Sequence, residues 1–367
     1  MRIALVVPGG VDRSGEYRVI PALLALIRRL ARENDLHVIA LNQEAEPAEW
    51  EWGGARIHNV GSRSTRLNAL RLLHALHREA PLDVIQAIWS GVCGFVGVTA
   101  GQLLRVPSAV HIAGGELIAL SNISYGGRLT RRGRIREALV LRGASAVTAA
   151  SAPIVSSVEA LGFRALRIPL GVDLQTWPAR GPVRRRPGER AKLLHVASLN
   201  GVKDQPTLLR ALAEISKAGV EFDLDIVGED TLHGEIQALA ARLGLAERAH
   251  FHGFMTQRQL RPLVEKADLM LLTSRHEAGP LAVLEAAVVG VPTVGTSVGH
   301  LVEWAPNAAV SVAVGNWEAL ALAIRRVLGD EDLRLSIAGE AMRRAVSEDA
   351  DYTAWRFRRL HESLRRR

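Results

Sequence analysis

Apolar runs of strand length alternate with helical segments along almost the whole chain. Residues 3–7, 36–41, 56–60, 84–88, 109–112, 146–150 and 165–168 read as short, mostly continuous apolar strands. Continuous rather than alternating apolar character is what a strand covered on both faces requires, so the sheet should be parallel with helices on either side. Between the first two strands, residues 16–32 place Leu23, Leu24, Ile27 and Leu30 at helical spacing, which gives a helix with one apolar stripe. A second series begins near Ala191, with strands ending at Gly228 and Gly253 and further strands at 269–272, 293–294 and 310–314. Helices close the chain from Trp317 onward, the last carrying Tyr352, Trp355 and Phe357 as aromatic anchors. The Pro-, Gly- and Arg-rich stretch 178–190 separates the two series and reads as a linker. The expected division is therefore 1–177, linker 178–190, 191–348, and a terminal helix over 349–367.

Composition changes this picture little. At 367 residues the chain has room for two cores of ordinary size, and 48% hydrophobic with 23% charged residues describes a globular protein. The single cysteine, Cys93, rules out an internal disulfide and fits a reducing compartment, which points to the cytoplasm. The first apolar stretch is too short for a secretory signal and turns at once into a Gly-rich loop. Residues 84–101 carry no charge, but Gln86, Ser90, Thr99 and internal glycines argue against a spanning helix.

The net charge of +8 favours anionic partners, and arginines cluster at 128–142 and 180–190. Anionic lipid headgroups are one such partner, which suggests a peripheral place at the inner face of a membrane. Nothing apolar reads as lying regularly beside those arginines, and a solvated basic surface is the plain alternative. Nucleic acid is not expected, since aromatics for stacking are few and no binding motif is present.

The densest chemistry lies in residues 273–296, TSRHEAGPLAVLEAAVVGVPTVGT, read as strand end, loop, helix and strand. Amides at a helix start point outward unsatisfied and carry partial positive charge, so Leu281, Ala282 and Val283 suit an anion such as phosphate. Glu277 and Glu285 are poor phosphate ligands but good acceptors from hydroxyl groups attached to one. Sugar hydroxyls fit that need. For isolated acids, a turn cap and an exposed helix position would be the plain readings.

The order of residues here, S-x-x-E-x-x-P-x-x-x-x-E-A-x-x-x-G-x-P, resembles the signature of the retaining glycosyltransferases of family 4. The resemblance implies a GT-B fold, two Rossmann-like domains facing each other across a cleft. It places Glu277 by the transferred sugar, Glu285 by the nucleotide ribose, and the backbone of Gly279, Pro280, Leu281 and Ala282 by the sugar and diphosphate. Ser14-Gly15 matches a loop that faces the diphosphate, and His111 a histidine that contacts the transferred sugar. Without the resemblance, the loop glycines are a weak signal and a lone histidine is more often structural; Glu116 beside it is a secondary candidate for meeting an acceptor hydroxyl.

Pro169 to Asp173 matches an element at the end of the family's first domain, and the last helix is expected to cross back onto that domain. Lys203 matches a lysine that grips the donor phosphates, while Ser198 stands where the family has an arginine. Serine cannot replace a bidentate cation. Three readings follow from that departure: another arginine compensates, the donor is held unusually, or turnover is slow. Gly228 and Gly253 end strands whose loops border the nucleotide, with Phe254 and Met255 framing the base. Asp223 and Asp225 sit within an apolar strand pattern, so no metal site and no cofactor is expected.

The resemblance implies a retaining transferase moving a sugar from a UDP- or GDP-linked donor to a hydroxyl on a glycan, lipid or small molecule. A GT-B sugar-nucleotide epimerase, or a non-catalytic nucleotide-sugar-binding partner subunit, are the alternatives.

Overall fold

The computed structural model describes residues 1–366 and divides into two compact units. The first comprises residues 1–171 and the C-terminal segment from Ala350; the second comprises residues 172–349.

In the first unit, eight strands form one sheet: β1 Arg2–Val7, β2 Asp35–Ala40, β3 Ala48–Trp52, β4 Ala55–Asn59, β5 Val84–Ile88, β6 Ser108–Ile112, β7 Ala146–Ala149 and β8 Leu166–Arg167. Their order across the sheet is β3-β4-β2-β1-β5-β6-β7-β8. All pairs are parallel except β3 with β4. The central strands are buried along their whole length, as their continuous apolar character requires. Helices α1 Pro21–Ala31, α2 Thr65–Glu79, α3 Val92–Leu104, α4 Arg131–Gly143 and α5 Ala152–Glu159 connect them.

Two elements differ from the sequence reading. Helix α1 begins at Pro21, not Glu16. Proline is at home in the first helical turn and disfavours helix at the residue before it. The preceding residues instead form a closed loop, with Val11 bridged to Val19 and Arg18 at φ 51°. Strand β3 was not anticipated: it is a charged edge strand whose Trp50 and Trp52 turn inward under Arg13 and Arg28, 4.7 and 5.4 Å from the ring centres.

The second unit carries an all-parallel six-stranded sheet of β9 Ala191–Val196, β10 Phe222–Val227, β11 Ala249–Gly253, β12 Leu269–Leu272, β13 Thr293–Thr296 and β14 Val310–Val312. The order is β11-β10-β9-β12-β13-β14. Its helices are α6 Gln205–Lys217, α7 Glu235–Arg242, α8 Gln257–Val264, α9 Leu281–Val288, α10 His300–Trp304, α11 Trp317–Gly329 and α12 Glu331–Ser347. One core lies under α6 and α11, a second around α9.

The stretch 178–190 carries no helix or strand and is mostly exposed, but it is anchored to the second unit at both ends of its course. Trp177 is 1% exposed. The Arg180 amide donates to the Val288 carbonyl, and Arg185 donates through its amide to Glu331. Helix α13, Ala350–Arg365, belongs to the first unit, where Arg29 donates to Asp351 at 2.7 Å and the Thr353 hydroxyl donates to the Pro169 carbonyl. Of the three aromatics read as anchors, Phe357 is fully buried whereas Trp355 is 48% exposed.

Candidate active site

In an open parallel sheet, a crevice forms outside the carboxyl ends of the strands where the strand order reverses. In the second unit that point lies between β9 and β12, whose following loops carry Ser198 to Lys203 and Thr273 to Pro280. The two loops are stitched together: the Arg275 amide donates to the Val202 carbonyl at 2.8 Å, and the Thr273 hydroxyl to the Lys203 carbonyl at 2.9 Å.

Their side chains converge on one carboxylate. Glu277 Oε1 accepts from Lys203 Nζ at 2.6 Å and from Ser274 Oγ at 2.6 Å. Both partners of the ion pair keep some exposure, 24% for the lysine side chain and 12% for the glutamate, so the pair can meet a ligand.

Ser198 is held from below. His195 Nδ1–H donates to the Leu271 carbonyl at 2.9 Å, which leaves Nε2 as the acceptor from Gln205 Nε2 at 3.3 Å; that amide also donates to the Ser198 carbonyl. Burial holds the His195 imidazole neutral, its pKa lowered to about 4. The place of the family arginine is thus filled by a short hydroxyl. Arg275, absent from the sequence candidates, supplies a second cation on this loop pair, its Nε 3.3 Å from Asp204. Asp204 does occupy the cap position of α6, but its carboxylate turns to Thr207 and Arg275 instead of the helix amides.

Helix α9 begins immediately after the glutamate loop. Pro280 occupies its cap position, no side chain caps it, and the amides of Leu281 and Ala282 make no hydrogen bond among the described residues. One turn further on, Glu285 is 7% exposed and accepts from Gln257 Nε2 at 2.5 Å, while Gln257 Oε1 accepts from Trp177 Nε1 at 3.2 Å. Burial raises the Glu285 carboxyl to about 7, against the pull of the Gln257 hydrogen bond. Gln257 opens α8 directly after the loop that follows β11, so this contact brings Glu285 to the loop containing Gly253, Phe254 and Met255.

Phe254 is 58% exposed, and Met255 packs partly against the core around α9. The Gly228 amide donates to the Gly253 carbonyl at 2.9 Å. At φ 153°, a Cβ on Gly228 would lie 2.1 Å from the Ala197 carbonyl oxygen, so only glycine lets the loops after β9 and β10 close this tightly. The aspartates of β10 are engaged elsewhere: Asp225 accepts from His252 at 2.6 Å and Asp223 from Arg190 at 3.3 Å.

The first unit corrects one expectation. His111 is fully buried, its Nδ1 2.9 Å from the Thr148 hydroxyl and its ring edge-on to Phe357 of α13 at 5.4 Å. Burial lowers its pKa to about 3. The side chain at this register points into the layer covered by α13, so His111 is enclosed, and its Nε2 has no hydrogen-bond partner among the described residues. Glu116 is buried too, accepting from the Ser90 amide at 3.1 Å and thereby tying the loop after β6 to that after β5.

Gly15 lies at φ 68° in the loop after β1, with the Trp52 indole nitrogen 3.1 Å from where a Cβ would stand. The order reversal of this sheet falls between β1 and β5. There, a cavity of about 740 Å³ is walled by Pro8, Ile20, Leu41, Trp89, Val92 and Cys93, with Asn42, Ser62, Thr65 and Arg66 as its polar members. Trp89 adopts φ 71°, a costly conformation for a bulky residue. Sequence reasoning missed this cavity, because its walls come from four separate loops and none carries a motif.

The first unit matches the family model of the glycosyl transferase 4-like domain over residues 19–171, and the second that of glycosyl transferases group 1 over residues 182–344. The chain belongs to the GT-B glycosyltransferases. Among curated relatives, a glycogen synthase of Mycobacterium tuberculosis is 31% identical over 186 residues, which is 50% of this chain and 44% of the synthase. The chain thus spans less than half the length of that relative.

Among solved structures, the sucrose-phosphate synthase of Thermosynechococcus elongatus superposes with a TM-score of 0.84 at 18% identity, covering 99% of each chain. The Anabaena protein HepE, solved in complex with UDP-glucose, does so with a TM-score of 0.76 at 20% identity, over 99% of this chain and 100% of that one. These likenesses bear out the GT-B fold, and the names favour a transferase over an epimerase or a binding subunit.

Proposed function

We propose that this chain is a retaining glycosyltransferase that takes a sugar from a UDP- or GDP-linked donor and delivers it to a hydroxyl acceptor. The observation that carries the reading is the convergence of Lys203 and Ser274 on Glu277 directly before the uncapped start of α9. A carboxylate, an ammonium and free helix amides at one place match the demands of a sugar diphosphate. The carboxylate accepts from sugar hydroxyls, and the cation and amides take up the charge that grows on the departing diphosphate.

In this mechanism the donor displaces Lys203 from Glu277. The ammonium turns to the diphosphate, with Arg275 as a second cation where the family arginine is missing. Glu285, a buried acceptor beside the loop of Gly253, Phe254 and Met255, holds the ribose hydroxyls, and Phe254 lies along the base. The bond from the anomeric carbon to the diphosphate oxygen breaks, and the acceptor oxygen bonds to that carbon on the same face. The acceptor proton passes to a diphosphate oxygen. Glu277 positions the sugar and forms no bond to it. The neutralising groups belong to the protein, so the reaction as proposed runs without a metal ion.

The acceptor, a glycan, lipid or small molecule, enters the mostly apolar cavity of the first unit beside Trp89 and Arg66. His111 acts through the packing of β6. The working compartment is the cytoplasm. Transfer of label from UDP- and GDP-sugars to a panel of acceptors tests the proposal. Glu277→Ala should leave a folded protein with turnover lowered about a hundredfold or more, the scale of losing one preorganised electrostatic contact. Full turnover in that variant would overturn it.

A further inference from the structure

The two arginine clusters have different fates in the structure. In 180–190 every arginine meets a carboxylate: Arg180 with Glu265, Arg184 with Asp332, Arg185 with Asp268, Arg186 with Glu189, and Arg190 with Glu221 and Asp223. That cluster neutralises itself. On α4, Arg131, Arg132, Arg134 and Arg142 are exposed, and none of them pairs with a carboxylate among the described residues. The one acid of this helix, Glu137, is buried and accepts from the Ser90 hydroxyl at 2.7 Å.

The same face carries apolar side chains, which the sequence reading did not recognise. Ile135 is 61% exposed and Leu139 54%. Positions 131, 135, 139 and 142 recur at three- and four-residue spacing, so Arg131, Ile135, Leu139 and Arg142 line one stripe with Arg132 and Arg134 on its flanks. The pattern was hidden because two isolated apolar residues among arginines resemble core positions until the buried side is known. Here the core side is Gly133, Glu137, Val140 and Leu141.

Helix α3 packs beside α4, and its C-terminal end exposes Leu103 by 72%. A recess of about 250 Å³ opens beside Leu139 and Arg142, against Phe95, Thr99 and Gln102. The helix is firmly seated: Thr130 caps it, and a Cβ on Gly133 would fall 2.1 Å from the Gly127 carbonyl oxygen.

We propose that the exposed face of α4 docks this protein on an anionic lipid bilayer, its arginines at the headgroups and Ile135 and Leu139 entering the acyl boundary. Charge complementarity selects the occupant. Four guanidinium groups that meet no carboxylate among the described residues, of which Arg134 donates only to the Arg128 carbonyl, demand a dense anionic surface, and the interspersed aliphatic side chains gain only where that surface has an apolar layer beneath it. A nucleic acid would satisfy the arginines but leave Ile135 and Leu139 against phosphate and sugar, with no aromatic side chain among them to stack on bases. Among the described residues no helix is long and apolar enough to cross a membrane, so the contact is a peripheral one.

Co-sedimentation of the full chain with phosphatidylglycerol–phosphatidylcholine vesicles, without donor or acceptor, tests this independently of the transferase reading. The protein should pellet with the anionic vesicles and stay in solution with pure phosphatidylcholine. Each arginine replaced by glutamine should lower the partition coefficient about fivefold, so the triple variant Arg131→Gln/Arg132→Gln/Arg134→Gln should lose about a hundredfold. Ile135→Gln/Leu139→Gln should retain low-salt binding but release the vesicles at lower salt than wild type. All five positions are exposed, so the melting temperature serves as the check that each variant folds.

Equal binding to neutral vesicles, no binding, or unchanged binding by the arginine variant would overturn the proposal. So would tighter binding of a single-stranded RNA than of the vesicles, or a dimer in solution that the Ile135/Leu139 variant dissociates.

Discussion

Replacing Glu285 by glutamine should make the protein more stable and less able to bind its donor. The buried carboxyl has its pKa raised to about 7 from an ordinary 4.5. The sign follows from proton counting. Below pH 4.5 both folded and unfolded chains hold the proton, and the group contributes no difference. Between about 4.5 and 7 the folded state keeps a proton that the unfolded state has lost, so stability falls as pH rises; above 7 the penalty is constant. A shift of this size corresponds to about 3 kcal/mol, an upper figure for a group that can recruit water.

Glutamine keeps the shape and can still pair with Gln257, but carries no charge. Differential scanning calorimetry of wild type and Glu285→Gln between pH 5 and 8.5 reads the effect. The melting temperatures should lie close together at pH 5 and diverge by several degrees at pH 8, with the variant the more stable. At the same time nucleotide-sugar affinity should drop about tenfold, since the amide is a weaker acceptor for ribose hydroxyls than the carboxylate. A variant less stable than wild type at pH 8, or equal displacement at all pH values, would refute the claim that a strained buried acid is kept there for binding.

Three further outcomes follow from the geometry. His111→Leu, which removes a buried ring packed on Phe357, should cost about 1–3 kcal/mol of stability in denaturant titrations and leave donor affinity within twofold; a selective loss of turnover would restore it to the site. Gly228→Ala puts a methyl group 2.1 Å from the Ala197 carbonyl oxygen, so it should lower the melting temperature by several degrees and weaken donor binding; a melting temperature unchanged from wild type would contradict the close packing of these loops. Phe254→Ala removes an exposed ring, so stability should hold while nucleotide affinity falls about tenfold by calorimetry; equal affinity would remove Phe254 from the base subsite.

Much of the fold was legible because its strands are buried on both faces. Residues such as Ile3 to Val7 and Leu269 to Leu272 are fully covered, and continuous apolar runs bounded by Gly and Pro declare that arrangement without any tertiary knowledge. Strand β3 was not legible for the opposite reason: an edge strand needs only one covered face, and Glu49 and Glu51 masked the alternation of Trp50 and Trp52. Helix α1 was read too long because its apolar stripe was extended back past Pro21, which sets the first turn, into a loop closed by the Val11 to Val19 bridge.

At the site, Glu277 and Lys203 are 74 positions apart, and only their separate motifs hinted that they meet. His111 shows the limit of that approach. A strand end gives no indication of which face the side chain takes, and the docking of α13, distant in sequence, decided it. The apolar members of the α4 face were invisible for a similar reason, since inside and outside on a helix are assigned by what covers it.

The most direct test of the account is calorimetric titration of UDP- and GDP-sugars into wild-type protein and Lys203→Ala. At least one of these donors should bind the wild type at micromolar concentration, and the variant should bind it about ten- to a hundredfold more weakly, the cost of one charged hydrogen bond to phosphate. No binding by any nucleoside diphosphate sugar, or equal affinity in the two proteins, would contradict the placement of the donor between Lys203, Glu277 and the start of α9.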